Sequence, residues 1–126
     1  MTRDQLLRPV LFFDAATCLA MGGVLVAAAA PIASLTDLPV PLLREAGILL
    51  FPFAAFVLWA ARRGSGWPVQ AVIAANIAWV ATSLALVASP WSGNALGIGF
   101  AAAQAAAVAL LAALQWRALP HTAVSA

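Results

Sequence analysis

Residues 64–116 read GSGWPVQAVIAANIAWVATSLALVASPWSGNALGIGFAAAQAAAVALLAALQW and contain no charged side chain. A helix needs about 20 apolar residues to cross the hydrocarbon core of a bilayer, so this stretch is too long for one crossing. It is interrupted at residues 89–94 by Ser-Pro-Trp-Ser-Gly-Asn, and Pro, Gly and Asn mark turns. We therefore predict two membrane-spanning helices here, at about residues 69–88 and 95–116.

The preceding half of the chain supplies two more candidate spans, at about residues 9–30 and 41–61. The segment from Pro31 to Val40 contains two prolines and Thr36-Asp37, which predicts a loop followed by a new helix start. Thr2 and Gln5 have capping-box spacing and predict a short helix before the first span. An ion-paired cap of Asp37 with Arg44 and Glu45 is expected at the start of the second span.

The composition supports a membrane protein throughout. The chain has 126 residues, of which 65% are hydrophobic and 8% charged, and its mean hydropathy is +1.03. Soluble domains are roughly 45–50% apolar and 25% charged, and a chain this short could not bury such an apolar surplus. We expect a single transmembrane domain over residues 1–126 that folds as an all-α, up-and-down four-helix bundle.

The arginines predict the orientation, since cytoplasmic loops carry an excess of positive charge. With four spans only Arg44 lies on one side, and five arginines share the other: Arg3, Arg8, Arg62, Arg63 and Arg117. Both termini are therefore expected in the cytoplasm, with the protein in a bacterial inner membrane. The N-terminal apolar run resembles a signal peptide, but its length, Asp14 and Pro31 favour a retained helix.

Asp14 is the sharpest candidate for a functional residue. It lies about five residues inside the first span, where an ionisable group is costly and is a functional hypothesis by default. It could form a proton or cation site, or a structural carboxylate that is hydrogen-bonded across the bundle or reached by an arginine from the membrane edge. It could bond to Asn76 if the first and third spans are neighbours.

Other polar residues extend this candidate ligand-binding set: Asn76, Trp79 and Ser83 on one stripe of the third span, and Gln104 near the middle of the fourth. Gln115 shares the Gln104 face. Hydrogen bonding between helices is the alternative role for all of them. On the next face of the fourth span, small residues at spacing four could allow close association of helices: Gly99, Ala103 and Ala107.

Several functions are excluded or disfavoured by missing residues. The chain has no Lys for a Schiff base, its only His is His121 near the C-terminus, and its one cysteine is Cys18. No His, Cys and acid cluster has metal-ligand spacing, and no catalytic or nucleotide-binding motif is present. We expect no enzymatic activity, no cofactor, no metal site and no nucleic-acid partner.

The chain resembles a group of small bacterial four-span membrane proteins that carry no assigned activity. The resembling residues cover most of the chain: Leu42-Leu43-Arg44-Glu45-Ala46-Gly47, Phe51-Pro52-Phe53-Ala54, Asn76-Ile77-Ala78-Trp79-Val80 with Ser83, and Gln104-Ala105. The resemblance implies the architecture alone.

In layout the chain is also similar to small multidrug-resistance exporters, four-span proteins that depend on one acid in the first span. Asp14 is similar in place, but that family uses Glu there and a tyrosine in its binding chamber, and this chain has no Tyr.

Two functional hypotheses follow from these patterns. The first is a non-catalytic accessory or assembly subunit, or a homo-oligomer, that acts through lipid-embedded surfaces and has membrane lipids or a larger membrane complex as partners. The second is a binder or carrier of a small hydrophobic or cationic ligand, with Asp14 providing proton linkage.

Overall fold

The computed structural model describes residues 3–119, with side chains from residue 5 onward. Thr2 of the predicted cap and His121 lie outside the described residues. All regular elements in the described part are helices: α1 (Arg3–Ala27), α2 (Ala29–Thr36), α3 (Val40–Arg63), α4 (Trp67–Val87) and α5 (Ala95–Ala118). The helices α1, α3, α4 and α5 are long and apolar enough to cross a membrane. The predicted all-α, four-span fold is confirmed, and the chain is a small multi-span membrane protein.

The four long helices form a closed ring in chain order. α1 packs against α3, α3 against α4, α4 against α5, and α5 against α1. Short connections at residues 37–39, 64–66 and 88–94 join successive elements, which makes neighbours antiparallel. α1 and α4 therefore face each other across the bundle, and whatever joins them must be carried by side chains.

The loop predicted from Pro31 to Val40 is wrong over most of its length, because residues 29–36 form the helix α2. Pro31 has no N–H and its ring collides with the carbonyl four residues earlier, which distorts a helix without ending it here. The helical path is distorted at Ala28, between α1 and α2. Hydrogen bonds from Ala28 N to Val24 O and from Ile32 N to Ala28 O still connect the two helices there. Likewise α1 begins at Arg3 and runs through Pro9 without interruption.

α1 and α3 pack closely because both have glycine at the crossing. A Cβ on Gly47 would lie 2.9 Å from Leu25 Cβ and 3.0 Å from the Gly22 carbonyl oxygen. A Cβ on Gly22 would lie 3.0 Å from the Gly47 carbonyl oxygen. Only residues without side chains allow the two backbones to approach to this distance. The α1–α3 seam is the most extensive contact in the bundle.

Asn94 attaches the N-terminal end of α5 to the connection between α2 and α3. Its backbone N–H donates to Thr36 O at 2.9 Å, and its side chain donates to Leu35 O and to Asp37 Oδ2. Its Oδ1 accepts from Gly97 N and so caps α5. Gly93 has φ of 77°, and a Cβ there would collide with the Thr36 carbonyl oxygen. Asp37 therefore joins the start of α5, and not the expected ion-paired cap with Arg44.

We expect Gly47→Ala to destabilise the bundle by about 1–3 kcal/mol, because the added methyl group overpacks the α1–α3 seam. The matched control is Gly23→Ala, since a Cβ on Gly23 meets nothing within 4 Å. That substitution should be neutral or slightly stabilising through helix propensity. Unfolding of both variants in mixed micelles measures the difference, and equal stability of the two would contradict this account of the seam.

Candidate functional site

The carboxyl group of Asp14 lies in the interior of the bundle and accepts hydrogen bonds from two other helices. Its Oδ2 accepts from Asn76 Nδ2 on α4 at 2.9 Å and from Gln115 Nε2 on α5 at 2.6 Å. Asn76 Nδ2 also donates to Gln115 Oε1 at 2.9 Å, which closes a ring of three side chains. Asp14 is 2% exposed and Gln115 is fully buried.

This triad supplies the link between α1 and α4 that their backbones do not make. In hydrocarbon an unsatisfied polar group costs several kcal/mol, so a buried carboxyl group must find donors within the protein. Both amides are neutral, and none of the arginines with described side chains takes part in the contact, although Asp14 lies only six residues after Arg8. The structure therefore favours the hydrogen-bonded alternative over the arginine-paired one.

The second carboxyl oxygen is less well satisfied. Asp14 Oδ1 receives a hydrogen bond from the Cys18 thiol at 3.6 Å, one turn further along α1. A thiol is a weak donor, and a carboxylate offers about four lone-pair positions over its two oxygens. Thr17 does not add a donor, because its hydroxyl group donates to the backbone oxygen of Asp14. Oδ1 thus has capacity for a further, stronger donor.

A second polar cluster joins α4 to α5 nearer the middle of the bundle. Trp79 Nε1 donates to Gln104 Oε1 at 2.7 Å, and Gln104 Nε2 donates to Ser83 Oγ at 2.7 Å. Ser83 Oγ in turn donates to Trp79 O at 2.8 Å. Both the oxygen and the nitrogen of the Gln104 amide are hydrogen-bonded, so the cluster holds the indole of Trp79 in a fixed position.

A cavity of about 820 Å³ lies beside both clusters. Small-molecule sites typically measure about 300–1,000 Å³, are mostly apolar and contain a few placed polar groups. The polar side chains on its wall are Asp14, Thr17, Cys18, Asn76, Trp79 and Gln104, and the aromatic ones on α1 and α3 are Phe13 and Phe53. Leu, Val, Met, Ala and Pro side chains form the rest of the lining.

The cavity opens on the side of the bundle. Its rim includes Phe13, Leu49 and Leu110, which are 60%, 62% and 61% exposed, respectively. These side chains belong to membrane-spanning helices, so the surface they form faces lipid. A molecule dissolved in the bilayer can therefore reach the cavity without passing through water.

The structure brings together all five side chains proposed from the sequence, but in two groups. Asp14 and Asn76 form one group, and Trp79, Ser83 and Gln104 form the other. Ser83 accepts a hydrogen bond from Gln104 and does not line the cavity. Asp14 and Asn76 are hydrogen-bonded across the interior of the bundle, although their helices are not neighbours in the ring.

Gln115 is the residue of the site that sequence reasoning missed. The sequence places Gln115 on the Gln104 face, but the candidate ligand-binding set does not include it. The available signal was spacing: Gln104 and Gln115 are eleven residues, or about three helical turns, apart. On the antiparallel α4, Ser83 and Asn76 are two turns apart and lie opposite them.

Among residues with described side chains, no three His, Cys, Asp or Glu side chains are grouped as a metal site would require. The chemistry that the site offers is a carboxyl acceptor, two amides, an indole N–H already engaged and an apolar wall. Comparison with protein-family profiles, curated proteins and solved structures found no match. What the site does must therefore be inferred from its own geometry.

We expect Asn76→Ala and Gln115→Ala each to cost about 1–3 kcal/mol, because each leaves the Asp14 carboxyl group short of a donor. The double variant should deviate from additivity by about 0.5–3 kcal/mol, since both amides contact the same oxygen and each other. Unfolding of the four proteins in mixed micelles gives this coupling energy.

The control cycle combines Gln115→Ala with Gln104→Ala. These residues are about 16 Å apart along α5 and share no hydrogen-bond partner, so their effects should add within about 0.5 kcal/mol. Coupling in this control as large as in the Asn76 cycle would contradict the division into two clusters.

Proposed function

We propose that the protein binds or carries a small lipophilic molecule with a positively charged head, which enters from the side of the bundle. The observation that carries this proposal is the cavity of about 820 Å³ with a buried carboxyl group on its wall. Its volume suits a molecule of drug size, and its lateral mouth suits one that partitions into lipid. We assign no catalytic step to the chain.

The positive head is inferred from what surrounds Asp14. All three of its side-chain partners are neutral donors, so within the described side chains no cation balances a negative charge there. Its Oδ1 has only the weak thiol contact, and both residues of that contact, Asp14 and Cys18, line the cavity. An ammonium group placed there would supply both a strong donor and the missing charge.

The aromatic rings support the same inference. Phe13, Phe53 and Trp79 line the cavity together with Asp14. The face of an aromatic ring attracts a cation, and this attraction increases in a desolvated site. Since Gln104 holds the Trp79 indole by its N–H, the ring is positioned before a ligand arrives.

A second candidate function is that of an assembly subunit or homo-oligomer, and a separate observation favours it. Gly99 and Ala103 lie on the exposed face of α5, and a Cβ on Gly99 would meet nothing within 4 Å. This surface of small residues allows another membrane helix to approach closely. Gly99 and Ala103 lie outside the cavity lining, whereas Ala107 of the same stripe lines it, so substitution at Ala103 separates the two functions.

We also propose a bacterial inner-membrane location with both termini in the cytoplasm. The support is the arginine distribution: the end of the bundle with Arg8, Arg62, Arg63 and Arg117 carries an excess over the end with Arg44. Arg8 contacts the α3–α4 turn, where its guanidinium lies 2.8 Å from the position of a Cβ on Gly64. Trp59 and Trp67 pack together at the same end, as interfacial aromatic residues do.

The ligand proposal predicts that the wild-type protein binds tetraphenylphosphonium, a lipophilic cation, more tightly than the neutral triphenylphosphine oxide. Asp14→Asn should weaken binding of the cation about tenfold or more, the effect of losing roughly 1.4 kcal/mol of charge attraction. Binding of the neutral compound should change little, because Asn still fills the space. Equilibrium dialysis in detergent measures both, and full retention of cation binding by this variant would rule out Asp14 as the cation site.

The cavity itself is tested by a matched pair of substitutions on α4. Ala75→Phe places a ring in the cavity and should weaken binding of both probes, whereas Ala74→Phe lies on the exposed face outside the lining. Equal binding by these two variants would place the ligand elsewhere.

For the assembly function we expect Ala103→Phe to reduce the fraction of oligomer or complex recovered in mild detergent, because the ring prevents close helix approach. Ligand binding should be unaffected, since Ala103 does not line the cavity. Native mass spectrometry reports the stoichiometry, and an unchanged assembly would argue against this face as the contact.

A further inference from the structure

A second cavity, of about 350 Å³, lies on the outer surface between α4 and α5. Its lining lies between Ile73 and Val80 on α4 and between Ala109 and Arg117 on α5, and it is apolar apart from Arg117 at one end. Ile73 and Ala112 are buried and form the floor, while Ile77 and Trp116 are 56% and 65% exposed and form the edges. The cavity is thus a groove that faces the membrane.

We propose that this groove binds one acyl chain of an anionic phospholipid, whose headgroup lies against Arg117. The groove follows about two turns of each helix, from Ile73 to Val80 and from Ala109 to Arg117, or roughly 10–12 Å. That length accommodates the upper part of an acyl chain. Water is excluded from that region, so an apolar groove within the membrane is filled by the hydrocarbon of a lipid or by another membrane helix.

The positive charge of Arg117 at the end of the groove favours a headgroup that is negatively charged. Arg117 is exposed, and among the described side chains no carboxylate forms an ion pair with it. It follows Trp116 directly, and a tryptophan at a span end marks the level of the lipid headgroups. A basic residue at that level attracts anionic headgroups with an energy of about 1 kcal/mol, or roughly a fivefold preference in binding.

Arg117 also argues against a second copy of the chain as the occupant. A second copy related by a two-fold axis along the membrane normal would place its own groove, and its own arginine, against this one. Two guanidinium groups would then face each other and repel. An anionic headgroup instead neutralises the charge, so lipid is the complementary partner.

The test titrates the full-length protein in detergent with phosphatidylglycerol or with phosphatidylcholine of the same acyl chains, and counts bound lipid by native mass spectrometry. We expect about a fivefold preference for phosphatidylglycerol. Arg117→Gln should abolish this preference without changing phosphatidylcholine binding. Arg44→Gln, at the opposite end of the bundle, should leave the preference intact.

The groove is tested separately from the charge. Ala113→Phe fills the groove and should lower binding of both lipids, whereas Ala102→Phe on the exposed face of α5 lies outside the lining and should not. Equal binding of the two lipids by the wild type, or a preference unchanged in Arg117→Gln, would overturn the proposal. So would a lipid-free dimer of the wild type that Ala113→Phe dissociates, because the occupant would then be a second copy.

Discussion

A carboxyl group between apolar helices must be met by donors from the protein, because the surrounding hydrocarbon supplies none. In this chain that requirement is fulfilled by Asn76 and Gln115, which reach Asp14 from α4 and α5. The contact fixes the depth of three helices relative to one another and connects α1 to a helix that it does not flank in the ring. The rest of the bundle is arranged around this point.

The two sides of α1 are packed in different ways, and the cavity is a consequence of that difference. Towards α3, Gly22 and Gly47 bring the two backbones into direct contact. Towards α5, the side chain of Gln115 spans the gap to Asp14. A long side chain holds helices further apart than glycines do, so space remains between α1 and α5. The Gln115 amide that helps to satisfy the carboxyl group therefore also keeps the site open.

Sequence reasoning predicted the helical fold because apolar runs of sufficient length and few charges leave little alternative in a membrane. It also proposed Asp14, Asn76, Trp79, Ser83 and Gln104, since polar groups inside a span stand out. It named Asn76 as a partner of Asp14 only on the condition that the first and third spans are neighbours, and it named no other partner. Hydrogen bonding between helices depends on rotation and depth that a single sequence does not give. Gln115 was missed for that reason. The helix at residues 29–36 was missed because Pro31 signals a break, whereas the fold tolerates it with a local distortion at Ala28.

The junction at Asn94 has a mechanical consequence for the cavity. At that end, α5 is held to the α2–α3 connection by a backbone hydrogen bond, two side-chain bonds and a glycine contact that leaves no space. Near the other end, α5 is held to α1 by a side-chain bond to Asp14. Thr36, Asp37 and Asn94 are not among the lining residues of the cavity, so a ligand there does not touch the anchor of α5 at the Asn94 end. The start of α5 therefore keeps its position whether the cavity is filled or empty, and only side chains need to adapt.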